Sequence, residues 1–160
     1  MKHQHLFIDK LGSFLGFEPD RECLRGGLLE VDNLKFQVSQ IDSDEMSFVV
    51  IAVEVFQIKP EALEGVLTLA MSANHFWRGT QGSTFSYDPM TRRLFLSRRF
   101  EAREVEALLD FEIGAAIMAL YDSANYWQMV IPQLEIQSQE DLDHKSAHAL
   151  SFGQTAARFQ

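Results

Sequence analysis

Between Met46 and Ile58 the chain carries apolar side chains on both sides of a two-residue period, and Val49-Val50-Ile51-Ala52-Val53 at its centre does not alternate at all. Branched side chains at this density favour extended backbone. The run is too short to cross a bilayer. It reads instead as a central strand, either covered on both faces or exposing one of them to a partner. Its neighbours fit beside it. In Leu34 to Ile41, the residues Leu34, Phe36 and Val38 share a face opposite Lys35, Gln37 and Ser39, the pattern of a half-buried strand. Leu28 to Val31 forms another strand, and Asp32-Asn33 and Asp42-Ser43-Asp44 are breaks whose side chains stabilise turns.

Helical spacing brackets these strands. From Leu6 to Phe17 apolar residues recur as Phe7, Leu11, Phe14 and as Ile8, Leu11, Leu15, which predicts a helix ending near Gly16. Leu6, Phe7 and Ile8 in succession widen its apolar face beyond what a helix resting on one layer needs, so part of that face is a candidate for binding another chain. A loop through Pro19 and Gly26-Gly27 follows. Pro60 with Glu61 and Glu64 suits a helix start, which Leu63, Val66, Leu67, Ala70, Met71 and Ala73 carry to about Phe76. Gly79-Thr80-Gln81-Gly82 breaks it, and Ser83 to Tyr87 and Leu94 to Phe100 flank an Asp88-Pro89 turn as a hairpin. From Ala102 the helical period returns through Val105, Leu108, Ile113, Ile117 and Leu120, with Pro132 expected to stop it. The order is helix, three strands, helix, two strands, helix: an α+β domain with an antiparallel sheet over residues 1–132. Residues 133–160 read as a polar, flexible tail.

With 160 residues, 46% of them apolar, and 13 Phe, the chain can build one real core. Its net charge of −9 repels phosphate backbones and anionic membranes, although Arg78, Arg92, Arg93, Arg98, Arg99 and Arg103 form a local basic cluster. Ordinary decoration of an exposed hairpin explains that cluster better than nucleic-acid binding. A single cysteine, Cys23, and an N-terminus without a signal-peptide core or cleavage site fit a cytoplasmic location.

No constellation for catalysis stands out, and neither cofactor nor metal is expected. Gly79 to Ser83 leads into a strand and lacks the lysine of a phosphate loop. The pairs His3/His5 and His144/His148 lack further metal ligands, and Asp42, Asp44 and Glu45 lack the glycine and distal glutamate of a calcium loop. The acidic run Glu101, Glu104, Glu106, Asp110 and Glu112 suits a helix start, with docking of a basic partner as the alternative.

The stretch Val66-Leu67-Thr68-Leu69-Ala70-Met71-Ser72-Ala73-Asn74, then the Gly79 to Gly82 turn, then Thr84-Phe85-Ser86-Tyr87-Asp88-Pro89 and Arg93-Leu94-Phe95-Leu96-Ser97-Arg98-Arg99, resembles the class I type III secretion chaperones, the Tir chaperone-like family. The resemblance covers about residues 5 to 132. It implies a twisted antiparallel sheet and a cytoplasmic bacterial homodimer that holds the N-terminal segment of a secreted effector extended for export, without catalysis. On that resemblance Val66, Leu69, Ala70, Ala73, Phe85 and Phe95 lie at the dimer interface, and Phe7, Leu11, Phe14, Leu15, Leu34, Phe36, Val38 and Phe48 bind the effector. The tail is a candidate for blocking the groove or recruiting the export ATPase. A regulator binding another control protein on the same fold, and a small ligand-binding or enzymatic domain, are the alternatives.

Overall fold

A computed structural model describes the backbone of residues 1–77 and 79–156 and the side chains up to residue 133, that of Arg21 excepted. At its centre β3 (Ser47–Gln57) pairs on one side with β2 (Leu34–Asp42) and on the other with β5 (Arg93–Glu101). With β1 (Leu28–Val31) and β4 (Thr84–Asp88) these make an antiparallel five-stranded sheet of order β1-β2-β3-β5-β4. The helices are α1 (Lys2–Leu15), α2 (Arg21–Gly26), α3 (Leu63–Asn74), α4 (Ala102–Ala107) and α5 (Asp110–Ala156). The expected α+β order is present, with two short helices added.

Strand register decides which side chains meet. Ile51 lies opposite Val38, Val53 lies between Phe36 and Leu96, and Val49 lies opposite Phe100. This face is buried together with Phe7, Ile8 and Leu11 of α1 and Ile113, Ile117 and Leu120 of α5. On the other face Phe48, Val50, Ala52 and Phe56 remain half-buried, with Arg99 4.5 Å over the Phe48 ring and Arg93 paired to Glu54 at 2.9 Å. Of the two readings of the Val49–Val53 run, the one that leaves a face open holds.

Three local expectations are corrected. The loop after Pro19 contains α2, because Asp20 caps it by accepting a bond from the Cys23 N–H at 2.7 Å and Gly27 ends it at φ 65°. Gly27 has to be glycine on a second ground: a Cβ there would stand 1.9 Å from the Val38 carbonyl oxygen. The single helix expected from Ala102 is broken at Leu108, whose backbone is extended. Lys10 donates to the Leu108 carbonyl there, and the Glu112 carboxylate accepts from the Leu109 N–H at 2.8 Å, so the break is satisfied from both sides.

Pro132 does not stop α5, which continues to Ala156. A proline inside a helix removes one donor and crowds one carbonyl without having to end it. The sequence after it offers no glycine or second proline before Gly153. The expected flexibility of residues 133–160 falls largely on side chains from 134 onward and residues 157–160, which lie outside the described residues.

The two sheet edges differ. At β4 the Asn74 side chain accepts from the Phe85 N–H at 2.7 Å and donates to the Phe85 carbonyl at 3.2 Å, pairing that edge residue as a strand would. Asn74→Ala is expected to destabilise the fold by about 1–3 kcal/mol, the cost of leaving such groups unpaired, in a urea titration. Asn74→Asp, which keeps the acceptor alone, should lose less.

Candidate binding groove

The opposite edge, β1, stays open. A two-residue turn, Asp32-Asn33, joins β1 to β2, and turns of this length close on a hydrogen-bonded pair, here Val31 with Leu34. Leu29 pairs in the same manner with Phe36, which leaves the N–H and C=O of Leu28 and Glu30 directed away from β2. Asp32 takes φ 53° in this turn and accepts a 2.6 Å bond from the Tyr121 hydroxyl of α5. That bond to a carboxylate raises the Tyr121 pKa above its ordinary value and ties the tip of the hairpin to α5.

Beside this edge lies a cavity of about 740 Å³ between the end of α1, α2 and β1. Leu11, Leu15, Phe17, Leu28, Leu29 and Val31 supply its apolar lining. Glu18, Asp20, Glu22 and Glu30 supply its carboxylates. Four consecutive residues of β1 take part although their side chains alternate between the sheet's two faces, so the cavity opens onto the strand edge itself. Leu15, Phe17 and Leu28 are exposed, the last at 54%, while Leu11 and Leu29 form a buried floor. Next to this cavity the exposed Phe14 ring lies over α5 so closely that a Cβ on Gly114 would come within 2.3 Å of it.

The residues expected to bind an effector divide among three environments. Phe7, Leu11, Leu34, Phe36 and Val38 are buried within the chain, at 1% exposure or less, whereas Phe14 and Leu15 are exposed at the end of α1. Phe48 is half-buried on the open sheet face, away from them. The expected dimer residues divide likewise: Val66, Ala70, Ala73 and Phe85 are buried, and Leu69 and Phe95 are half-buried. Sequence reasoning passed over the outer face of α3, where Leu67, Thr68, Met71, Ser72 and His75 line a shallow depression of about 630 Å³. Phe76 and Trp77 follow it, exposed at 72% and 56%. It also passed over Phe17, Leu28 and Leu29 in the groove, although the helix end at Gly16 and the alternation of Leu28 to Val31 could have pointed to them.

A chain in the crystal structure of the ExsC–ExsE complex aligns with this one at TM-score 0.58 and 19% identity, over 79% of this chain and 92% of its own length. A chain in the HopA1–SchA chaperone–effector complex aligns at TM-score 0.53 and 13% identity, over 78% and 95%. The chain has the type III secretion chaperone-like fold. No family model matches the sequence, and no curated protein matches it. Among the described residues of this chaperone-like fold, no three His, Cys, Asp or Glu side chains group to hold a metal ion, and no helix is long and apolar enough to cross a membrane.

Cys23 lines the groove, and burial first, then the Asp20 carboxylate, push its thiol above the usual value. Only thiolate reacts readily. A raised pKa keeps the folded thiol protonated where the unfolded chain already ionises, so iodoacetamide should alkylate Cys23 more slowly in the native protein than in urea at about pH 8. The gap should close as pH rises past both values. Equal rates at the lower pH, followed by mass spectrometry, would contradict the half-buried placement.

Proposed function

We propose that this chain is a type III secretion chaperone that binds the N-terminal segment of a secreted effector, keeps it extended and export-competent, and catalyses nothing. The observation that carries this reading is the open main-chain edge of β1 beside an apolar groove. An extended segment laid along β1 finds the unpaired N–H and C=O of Leu28 and Glu30, and a pleated strand sends alternate side chains into the groove. Main-chain bonds and apolar burial then hold a segment that stays unfolded, with no nucleotide consumed. The solved chaperone–effector complex of the same fold supports this reading.

On it, Phe14, Leu15, Phe17 and Leu28 touch the effector, and Phe7, Leu11, Leu34, Phe36 and Val38 act through the floor that supports them. The protein works in the bacterial cytoplasm, where the effector waits for export, and hands it to the export ATPase. A homodimer joined through the outer face of α3 completes the reading. Phe76 and Trp77 both adopt φ 53°, a left-handed conformation costing bulky residues about 1–3 kcal/mol. Two large rings held outward at such a cost suit an interface with a second copy, where they are buried with Met71 and Leu67.

Two measurements test the reading. Affinity purification from the native host is expected to recover a secreted protein bound through its N-terminal segment, and Leu15→Asp with Phe17→Ser should lose it while Glu61→Gln, outside both the groove and the proposed dimer face, retains it. Recovery of a resident control protein in its place would overturn the effector reading. Light scattering at micromolar concentration should give twice the 18.3 kDa chain mass, and Met71→Glu with Phe76→Ser should halve it. A monomeric mass for the unaltered protein would sink the dimer.

A further inference from the structure

Each hairpin of the sheet has an aspartate at its turn, and the three carboxylates are used differently. Asp88 accepts from the Met90 N–H at 2.9 Å and from the Thr91 hydroxyl at 2.6 Å. Asp42 accepts from the Gln40 side chain and the Ser47 hydroxyl, so both of these aspartates stay within their own hairpins. Asp32 instead reaches a helix, through the 2.6 Å bond it accepts from the Tyr121 hydroxyl of α5. Among the described residues this is the one hydrogen bond that joins β1 or its turn to a helix. The other strands are held on both sides, β4 by the Asn74 side chain at Phe85, whereas β1 is bonded only to the four residues of β2 opposite it. Asp32 sustains φ 53° in this turn, a conformation that glycine takes without strain. The turn's own stability would be served by glycine; aspartate adds the carboxylate.

We infer that Tyr121 is a positioning residue for the groove: through Asp32 it holds β1 at the spacing from α1 at which an extended segment pairs with Leu28 and Glu30 while its apolar side chains enter the cavity. This rests on the groove reading given above and adds what keeps the groove ready to bind. The cavity lies between the end of α1, α2 and β1, so its width is set by where β1 stands. The same helix fixes both of these walls. The Phe14 ring at the end of α1 lies against Gly114, and Tyr121 follows Gly114 by seven residues, two turns and about 10 Å along one face of α5. Tyr121 is itself well anchored, since its ring packs against the core beside the wholly buried Leu120 and Ala124. A β1 hairpin released from α5 presents the competent spacing for only part of the time, and apparent affinity falls in proportion to that fraction.

The test uses the full-length protein and a labelled synthetic dodecapeptide alternating Leu with Ser, and follows binding by fluorescence anisotropy. Hydrogen exchange across residues 28–34 is read by mass spectrometry without the peptide. Tyr121→Phe should weaken binding about fivefold, the order of one solvent-accessible hydrogen bond, and speed exchange across 28–34 by a similar factor. Asp32→Gly should weaken binding as far as Tyr121→Phe does, although glycine relieves the turn, and the two substitutions together should cost no more than either alone. Asp32→Asn keeps an acceptor oxygen for the hydroxyl and should recover most of the affinity. Tyr126→Phe, an exposed position on the same helix, should change neither readout. If Leu15→Asp abolishes binding while Tyr121→Phe and Asp32→Gly bind as the unaltered protein does, the positioning role is wrong and the groove reading stands. If Asp32→Gly binds as the unaltered protein does and Tyr121→Phe alone is weaker, the bond to Asp32 carries nothing and the positioning role is again wrong. If the peptide does not bind, or Leu15→Asp leaves its binding unchanged, the groove reading itself fails, and the positioning role with it.

Discussion

Pairing of β3 with both β2 and β5, and burial of its inward face, is the constraint on which the other elements depend. Val49, Ile51 and Val53 are wholly buried beneath α1 and α5. Each contributes about 1.5–3 kcal/mol as an upper estimate for a side chain removed from water. Net stabilities of domains are about 5–15 kcal/mol, so this row alone decides whether the sheet holds its helices. The tie is strengthened at the far end of α1. There Lys2 and His3 reach Glu106 at 3.0 and 3.2 Å, and those bonds hold the Glu106 carboxyl below its ordinary range. The pairs are largely exposed and contribute little stability, and they join the start of α1 to α4.

Because the helices cover one face, the sheet is left with an open second face and two edges, and the fold treats the edges differently. Asn74 closes β4 with a pair of side-chain bonds. β1 keeps its edge, but it is only four residues long and carries Glu30, features that limit pairing with indiscriminate partners. The groove beside it exists because α2 is held short. Asp20 starts that helix and Gly27 ends it, with the Gly27 carbonyl accepting from the Val38 N–H at 2.6 Å. A side chain at Gly27 would push β2 and the end of α2 apart and distort the groove wall.

Much of this was legible in the sequence, and the parts that were not share one cause. Alternation in Leu34 to Ile41 and the unbroken apolar run in β3 give the strands and their inward face. The widened face Leu6-Phe7-Ile8, however, was read as surplus for a partner, whereas Phe7 and Ile8 are both fully buried. The reason is geometric: α1 packs against α5 as well as the sheet, so it is covered from two directions and needs an apolar face wider than one layer demands. Periodicity tells which face is apolar but not whether its own chain or another covers it. The same ambiguity holds for Val66, Ala70 and Ala73, which the resemblance implies at a dimer interface and which are buried within the single chain. The open edge at β1 has no sequence signature, since edge and central positions are assigned only once all five strands are paired.

The dimensions of β1 bear on how tightly such a groove can hold anything. Two outward-facing residues offer up to four main-chain bonds, which at about 0.5–1.5 kcal/mol each contribute about 2–6 kcal/mol. Ordering four to six residues of a flexible segment costs about 1–2 kcal/mol per residue, so main-chain pairing by itself does not hold the segment. Two or three apolar anchors over Leu11, Leu15 and Phe17 add about 1.5–3 kcal/mol each and bring the sum to a modest surplus. On the proposed reading, retention then comes from joining two such grooves in one dimer, because the second segment binds at the high effective concentration set by the first. Release needs only one groove to be vacated before the other follows. On that proposed reading, a chaperone that consumes no nucleotide holds its partner in the cell and still surrenders it at the export machinery.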